Sequence, residues 1–220
     1  MTIGDLMKLT AEGFGETLYM TFVSTASAYL IGMPIGLILT VTDKDGIKPN
    51  PLVNGIIGFI VNVLRSVPFI ILLIAVMPIT RAIVGTTIGS SATVVPLVIA
   101  AAPYIARMVE SSVKEVDRGV IEASLSMGAS PFQIVYKVLL PEARPSLLLG
   151  AAITTTTILS YSAMAGVVGG GGLGDIAIRY GYHRKQTDIM IVMVVVLVAI
   201  VQVLQAAGNW ISRRNDKRIR

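Results

Sequence analysis

The residue types that most often carry chemistry are almost missing from this 220-residue sequence. It has no Cys and a single His, His183, so it offers no thiolate nucleophile and no His-Glu-x-x-His metal site. His183 stands beside Arg184 in a basic stretch outside the apolar runs, where it cannot activate a buried Ser and reads as a solvated side chain. Residues 169–174 contain Gly-x-Gly-x-x-Gly, but they follow a long apolar run with no strand before them. They read as a flexible turn into segment 175–188, not as a dinucleotide cradle. Nowhere is there a Gly-x-x-x-x-Gly-Lys-Ser/Thr loop, so the chain cannot cradle ATP phosphates. No catalytic residue, metal or cofactor is expected on this chain.

What must position the few remaining polar residues is a membrane. The chain is 54% hydrophobic, about 119 of 220 residues, and only 14% charged, against roughly 25% charged in soluble domains. One bilayer crossing takes about 20 apolar residues, so this material supplies five or six crossings and leaves no room for a sizeable soluble domain. Asp, Glu, Lys and Arg are absent from residues 17–42, 49–64, 66–80, 82–106, 145–174 and 189–212. The second and third runs are separated only by Arg65 and are each short, so they join into one span. Five transmembrane helices result, at about 17–41, 52–79, 83–106, 146–168 and 189–211. Unbroken runs such as 189–200 exclude the alternating strands of a membrane β-barrel. The first run is too long, and Asp5, Glu12 and Glu16 too acidic, for a cleaved signal peptide.

Positive charge is retained on the cytoplasmic side. Twelve Lys or Arg fall in the segments 42–51, 107–144 and 213–220, and five fall on the opposite side. The expected topology is an external segment 1–16, a transmembrane domain 17–212 with the N-terminus outside, and a basic cytoplasmic tail 213–220. The net charge of +5 suits anionic lipid head groups and requires no nucleic acid.

Only the loop 107–144 is long enough for structure of its own. Val109, Val113, Val116 and Val120 recur at helical spacing, which predicts one amphipathic helix ending near Met127-Gly128. Ser130-Pro131 starts a second, with an apolar face of Phe132, Val135, Tyr136 and Leu139, closed by Pro141. Gly128-Ala129 leaves a turn of small residues between them. By spacing alone, a helix lying on the membrane and a partner-binding element fit equally well.

The run Glu122-Ala123-Ser124, three residues, Gly128, nine residues, Val138, one residue, Leu140-Pro141 resembles the EAA loop of ABC-importer permeases. Ser124 and Val138 stand where that pattern has Ala and Ile. The resemblance extends over the chain to the methionine-uptake permeases, carried by residues 18–24, 64–73, 102–110, 160–166 and 171–175. It implies a type I ABC-importer permease fold in a bacterial cytoplasmic membrane. It also implies a homodimer, two ATPase subunits that hold ATP and Mg, and an extracytoplasmic binding lipoprotein that segment 175–188 can touch. Methionine, L and often D, is the implied cargo. By the same resemblance Glu122, Ala123, Ser124, Gly128, Ala129, Ser130, Pro131, Leu140 and Pro141 form the coupling element.

Within the spans, Arg65 beside the helix-breaking Pro68 is expected to satisfy freed carbonyls and hold packing. Ser160, Tyr161, Ser162 and Met164 are candidates for the translocation path, with packing within their own helix as the alternative. Gly32 and Gly36 have the small-xxx-small spacing of close helix contact, with Pro34 a kink. A permease for another small amino acid and an ATP-independent secondary transporter are the competing functions. The latter requires inverted repeats or acidic residues in the spans, and neither is visible in the sequence.

Overall fold

The computed structural model describes residues 3–215, so Lys217, Arg218 and Arg220 of the basic tail lie outside the described residues. Helices run in the order α1 (Ile3–Thr42), α2 (Pro51–Ser66), α3 (Phe69–Ala75), α4 (Met77–Val84), α5 (Ser90–Lys114) and α6 (Arg118–Ser126). Then come α7 (Pro131–Ile134), α8 (Leu140–Glu142), α9 (Arg144–Ala165), α10 (Gly172–Ile176) and α11 (Thr187–Asn215). No strand occurs among the described residues. Among the described residues, four helices are long and apolar enough to cross a membrane, or five if the broken pair α2 and α3 counts as one.

That broken pair falls where the span drawn through Arg65 meets Pro68. The helix stops at Ser66, and Pro68 takes the extended conformation at φ −56°, ψ 136° before α3 begins. Pro68 disfavours helical geometry in the residue before it and has no N–H to continue the ladder. At the other end, α1 begins at Ile3, so the acidic segment placed outside the first span is helical too.

The chain divides into two compact units. The first holds Met1–Ser27, Val67–Ala101 and Thr154–Ala206. Its core gathers Leu159, Leu173, Ile176, Ile189, Met193 and Ile200, with Leu6, Leu9 and Leu18 packed against it. The glycine run is stitched into this unit. Gly169 O accepts from Gly89 N at 2.9 Å, Gly170 O from Thr93 Oγ1 at 3.1 Å, and Glu16 Oε2 from Gly172 N at 2.6 Å. Thr17 Oγ1 accepts from Leu173 N at 2.9 Å. What the sequence presents as a flexible turn is therefore a bonded one, because glycine lets these backbones come close enough to use side-chain acceptors on α1.

The second unit holds Ala28–Ser66, Ala102–Ile153 and Ala207–Arg220. Leu39, Val61 and Ala106 form its buried cluster with Ile35 and Ile57. Gly32 and Gly36 behave as their spacing predicts. A Cβ on Gly32 would stand 2.6 Å from Ala102 O, and one on Gly36 would stand 2.5 Å from Ala106 O. Here α1 and α5 touch backbone to backbone. Asn54 Nδ2 donates to Leu39 O at 2.7 Å, and Ser212 Oγ donates to Pro145 O at 3.0 Å.

Candidate functional site

The loop between α5 and α9 lies wholly in the second unit. Its helical plan differs from the sequence expectation in three places. The valine stripe does not lie on one helix. Val109 and Val113 are buried along α5, Val116 is buried in a break, and Val120 is 42% exposed on α6. Asp117 causes the break: at ψ 132° its carboxylate accepts from Gly119 N at 2.7 Å and starts α6, the competition that a short acidic side chain offers a continuing helix. In the second helix Ile134 and Leu139 are buried, while Phe132 and Tyr136 stack on each other 6.4 Å apart and are exposed. Lastly, Pro141 does not end the helix. A π turn at Val135–Leu139, where Leu140 N reaches Val135 O, carries the chain past it. Spacing of five residues removes the demand that Pro141 donate to residue 137.

Between these helices the turn is closed on both sides. Ala129 N donates to Ser124 O at 3.1 Å and Gly128 N to Leu125 O at 2.9 Å, with Gly128 at φ +80°. These are the two bonds of a Schellman end, and the left-handed position explains the glycine. Ser130 then opens α7 with a full capping box. Its Oγ accepts from Gln133 N at 3.3 Å, Gln133 Oε1 accepts from Ser130 N at 2.8 Å, and Pro131 occupies the first turn. Glu122, Ala123 and Gly128 are exposed, Ser124 is buried with its hydroxyl on Val120 O, and Met127 is 81% exposed. The structure thus brings Glu122, Ala123, Gly128, Ala129, Ser130 and Pro131 to one exposed, rigidly capped turn. Leu140 and Pro141 sit apart from it, where α8 leads into α9.

A charged cluster that sequence reasoning missed lies where this loop leaves α5. Arg107, Glu110 and Lys114 lie along one face of the helix. Arg107 Nη1 meets Glu110 Oε2 at 2.6 Å, and Lys114 Nζ meets Glu110 Oε1 at 2.8 Å. Lys114 also pairs with Asp43, just past the end of α1. Arg107 Nη2 donates to Asn62 Oδ1 at 2.9 Å and to Gly58 O at 3.2 Å on α2. Glu110 is only 7% exposed, so a buried acid does lie on a long apolar helix. The signal was present in the sequence: Arg-x-x-Glu-x-x-x-Lys has salt-bridge spacing at both steps.

Asp43 lies outside the spans, and its pKa is lowered from 3.8 chiefly by the hydrogen bond from Lys114, against the opposing effect of burial, with the Lys44 N–H adding to it. A depressed carboxylate stabilises the fold above its unfolded value, and that contribution disappears as pH falls through the lowered one. The protection factors of the amides of residues 43–48, taken against intrinsic exchange at each pH, are therefore expected to hold at neutral pH and to fall below pH about 4. Asp43→Asn is expected to show the lowered protection already at pH 7.

The intramembrane candidates separate. Arg65 is exposed and lies 6.0 Å over the Tyr104 ring; a guanidinium that does reach a backbone carbonyl on α2 is that of Arg107, at Gly58 O. Pro68 is the break itself. Ser162 is buried and donates to Leu159 O, and Tyr161 stacks on Phe69 at 4.5 Å, with ring planes 3° apart. Ser160 and Met164 are exposed. No cluster of three His, Cys, Asp or Glu able to hold a metal occurs among the described residues.

Long apolar helices, a broken pair and a capped, exposed turn on a loop are the marks of a membrane-spanning chain. The chain belongs to the family described as binding-protein-dependent transport system inner membrane component, which matches residues 32–220. Among individual relatives, it is 51% identical over 203 residues to the probable D-methionine transport system permease protein MetI of Vibrio cholerae, covering 92% of this chain and 90% of that one. It is 52% identical to MetI of Escherichia coli over 161 residues, 73% of this chain and 74% of that one. In solved structures, a chain of the MetNI methionine ABC transporter in inward-facing conformations superposes with TM-score 0.96 at 48% identity, over 99% of this chain and 100% of that one. A chain of an amino acid ABC transporter with histidines shares the fold at TM-score 0.80 and 20% identity.

Proposed function

We propose that the chain is the transmembrane subunit of an ATP-driven methionine importer, taking L- and D-methionine inward. Two copies form the passage. Two separate ATPase subunits hold ATP and Mg and hydrolyse it, and an extracytoplasmic binding lipoprotein delivers the substrate. The observation that carries this reading is the near-complete superposition on a methionine ABC transporter chain, with the family's loop sequence folded as a capped, exposed turn. The orientation that suits it puts the N-terminus outside and the loop in the cytoplasm, as the charge count favours. Glu122 to Pro131 engage a groove of the ATPase, and closure of the ATPase pair draws the two loops together and opens the passage outward. Ser160 and Met164, the exposed members of their patch, face that passage.

Uptake of labelled methionine into cells lacking other methionine routes tests the cargo. Expression of this chain with its ATPase and binding protein is expected to restore uptake that excess unlabelled methionine abolishes and other amino acids leave intact. Uptake indifferent to methionine and competed by another small amino acid rejects the substrate assignment.

A further inference from the structure

We infer that the chain of charges Asp43, Lys114, Glu110 and Arg107 positions the loop for coupling, by fixing the axial register of α1, α2 and α5 at the point where the loop leaves them. The inference rests on the reading of this protein as an ATP-coupled permease and adds to it the residues that pass the movement inward. Lys114 is the last residue of α5, and Asp117, three residues on, caps α6. A displacement of α6 therefore reaches the helices first at Lys114. From there the charges branch to α1 through Asp43 and to α2 through Glu110 and Arg107. A second tie joins α6 directly to the same connection, Arg118 to Asp45 at 3.3 Å.

Apolar packing does not make this connection by itself. A cavity of about 540 Å³ lies between the connection after α1 and the start of α6, and Asp43, Asp45, Lys114 and Arg118 all border it. The ion pairs bridge a space that side chains leave open. Farther along the same helices, the close contact of Gly32 and Gly36 with α5 holds them together, yet smooth backbone contact resists separation far better than sliding. Directional, charge-assisted bonds to a carboxylate 7% exposed supply the register. Fixing register is the best-attested use of buried charge, because such pairs add little net stability.

The test measures ATP hydrolysed and labelled methionine imported by the complete complex in proteoliposomes, with the binding protein supplied on the external side of the passage. Asp43→Ala and Lys114→Met are expected to keep the assembled complex and its ATPase activity while lowering methionine imported per ATP about tenfold, the scale of one charge-assisted hydrogen bond. Lys114→Arg, which keeps the charge, is expected to couple like wild type. Coupling in Asp43→Ala and Lys114→Met equal to wild type overturns the inference. So does a parallel loss of uptake and hydrolysis in a complex that still assembles, which marks a purely structural role. Asp43→Asn, the mildest change at a position outside the spans, decides the matter if the other variants do not assemble. Wild-type complex that imports neither methionine nor another small amino acid fails the permease reading, before any variant is compared, and takes this inference with it.

Discussion

Gly128→Trp is expected to abolish retention of the ATPase subunit during purification, and with it methionine uptake, while the permease itself stays folded. A Cβ at Gly128 meets nothing within 4 Å in this chain. The cost inside the protein is therefore only the left-handed backbone at φ +80°, about 1 kcal/mol for an L residue. Gly128→Ala carries the same backbone cost with minimal bulk and is expected to weaken retention by about fivefold. The difference between the two variants reports what lies against the turn from outside. Glu122→Lys, on the exposed side of α6, reverses a charge without disturbing the helix and is expected to match the Trp variant. Normal co-purification and normal uptake with both Gly128→Trp and Glu122→Lys reject the coupling role of this turn.

The largest loss of the folded protein is expected from Gly174→Val. A Cβ at Gly174 would lie inside the backbone of Ala163, touching its O, Cα and C, and Gly166 faces the backbone of Gly174 and Asp175 in the same way. Main chain cannot step aside as a side chain can, so the closing segment 166–175 must part from α9. Overpacking of this kind costs about 3 kcal/mol, and the loss of the bonds from Glu16 and Thr17 to this segment adds to it. Thermal unfolding in detergent, monitored by loss of the monodisperse size-exclusion peak, is expected to move to markedly lower temperature. Gly55→Ala serves as control: it sits in α2 with nothing within 4 Å of its Cβ and is expected to melt at or above the wild-type temperature, since Ala favours helix over Gly by about 1 kcal/mol. Equal melting of Gly174→Val and wild type contradicts the close approach.

These two glycines divide what can be read in one dimension from what cannot. Gly128 is legible in the sequence, because the residues that cap the turn are local: Ser124 and Leu125 accept its bonds, and Ser130 and Gln133 cap the start of α7. Gly174 is not, since its reason is a backbone eleven residues earlier in another helix. The same division runs through the charges. That residues 189–212 are suited to cross a membrane follows from their lack of ionised groups, which bilayer energetics excludes wherever the chain folds. That Arg65 lies exposed over Tyr104 while Arg107 takes the carbonyl on α2 depends on which helices become neighbours. The valine stripe misled for a related reason. Its period is correct, but Asp117 outcompetes helix continuation once its carboxylate reaches Gly119 N, and periodicity does not register a cap in the middle.

By itself, then, the sequence determined the all-helical membrane architecture, the loop that carries the EAA-like run, and the small-residue spacing of Gly32 and Gly36. All three rest on composition, period and local turn chemistry. Only the tertiary structure decided that the glycine run is bonded to Glu16 and Thr17, that Phe132 and Tyr136 face outward, and that Asp43 at one end and Asn62 at the other join the Arg107, Glu110 and Lys114 series. Each of those requires residues far apart in sequence to arrive within reach of one another, and the free energy of such contacts is set by the geometry of the neighbouring element, which no local pattern encodes.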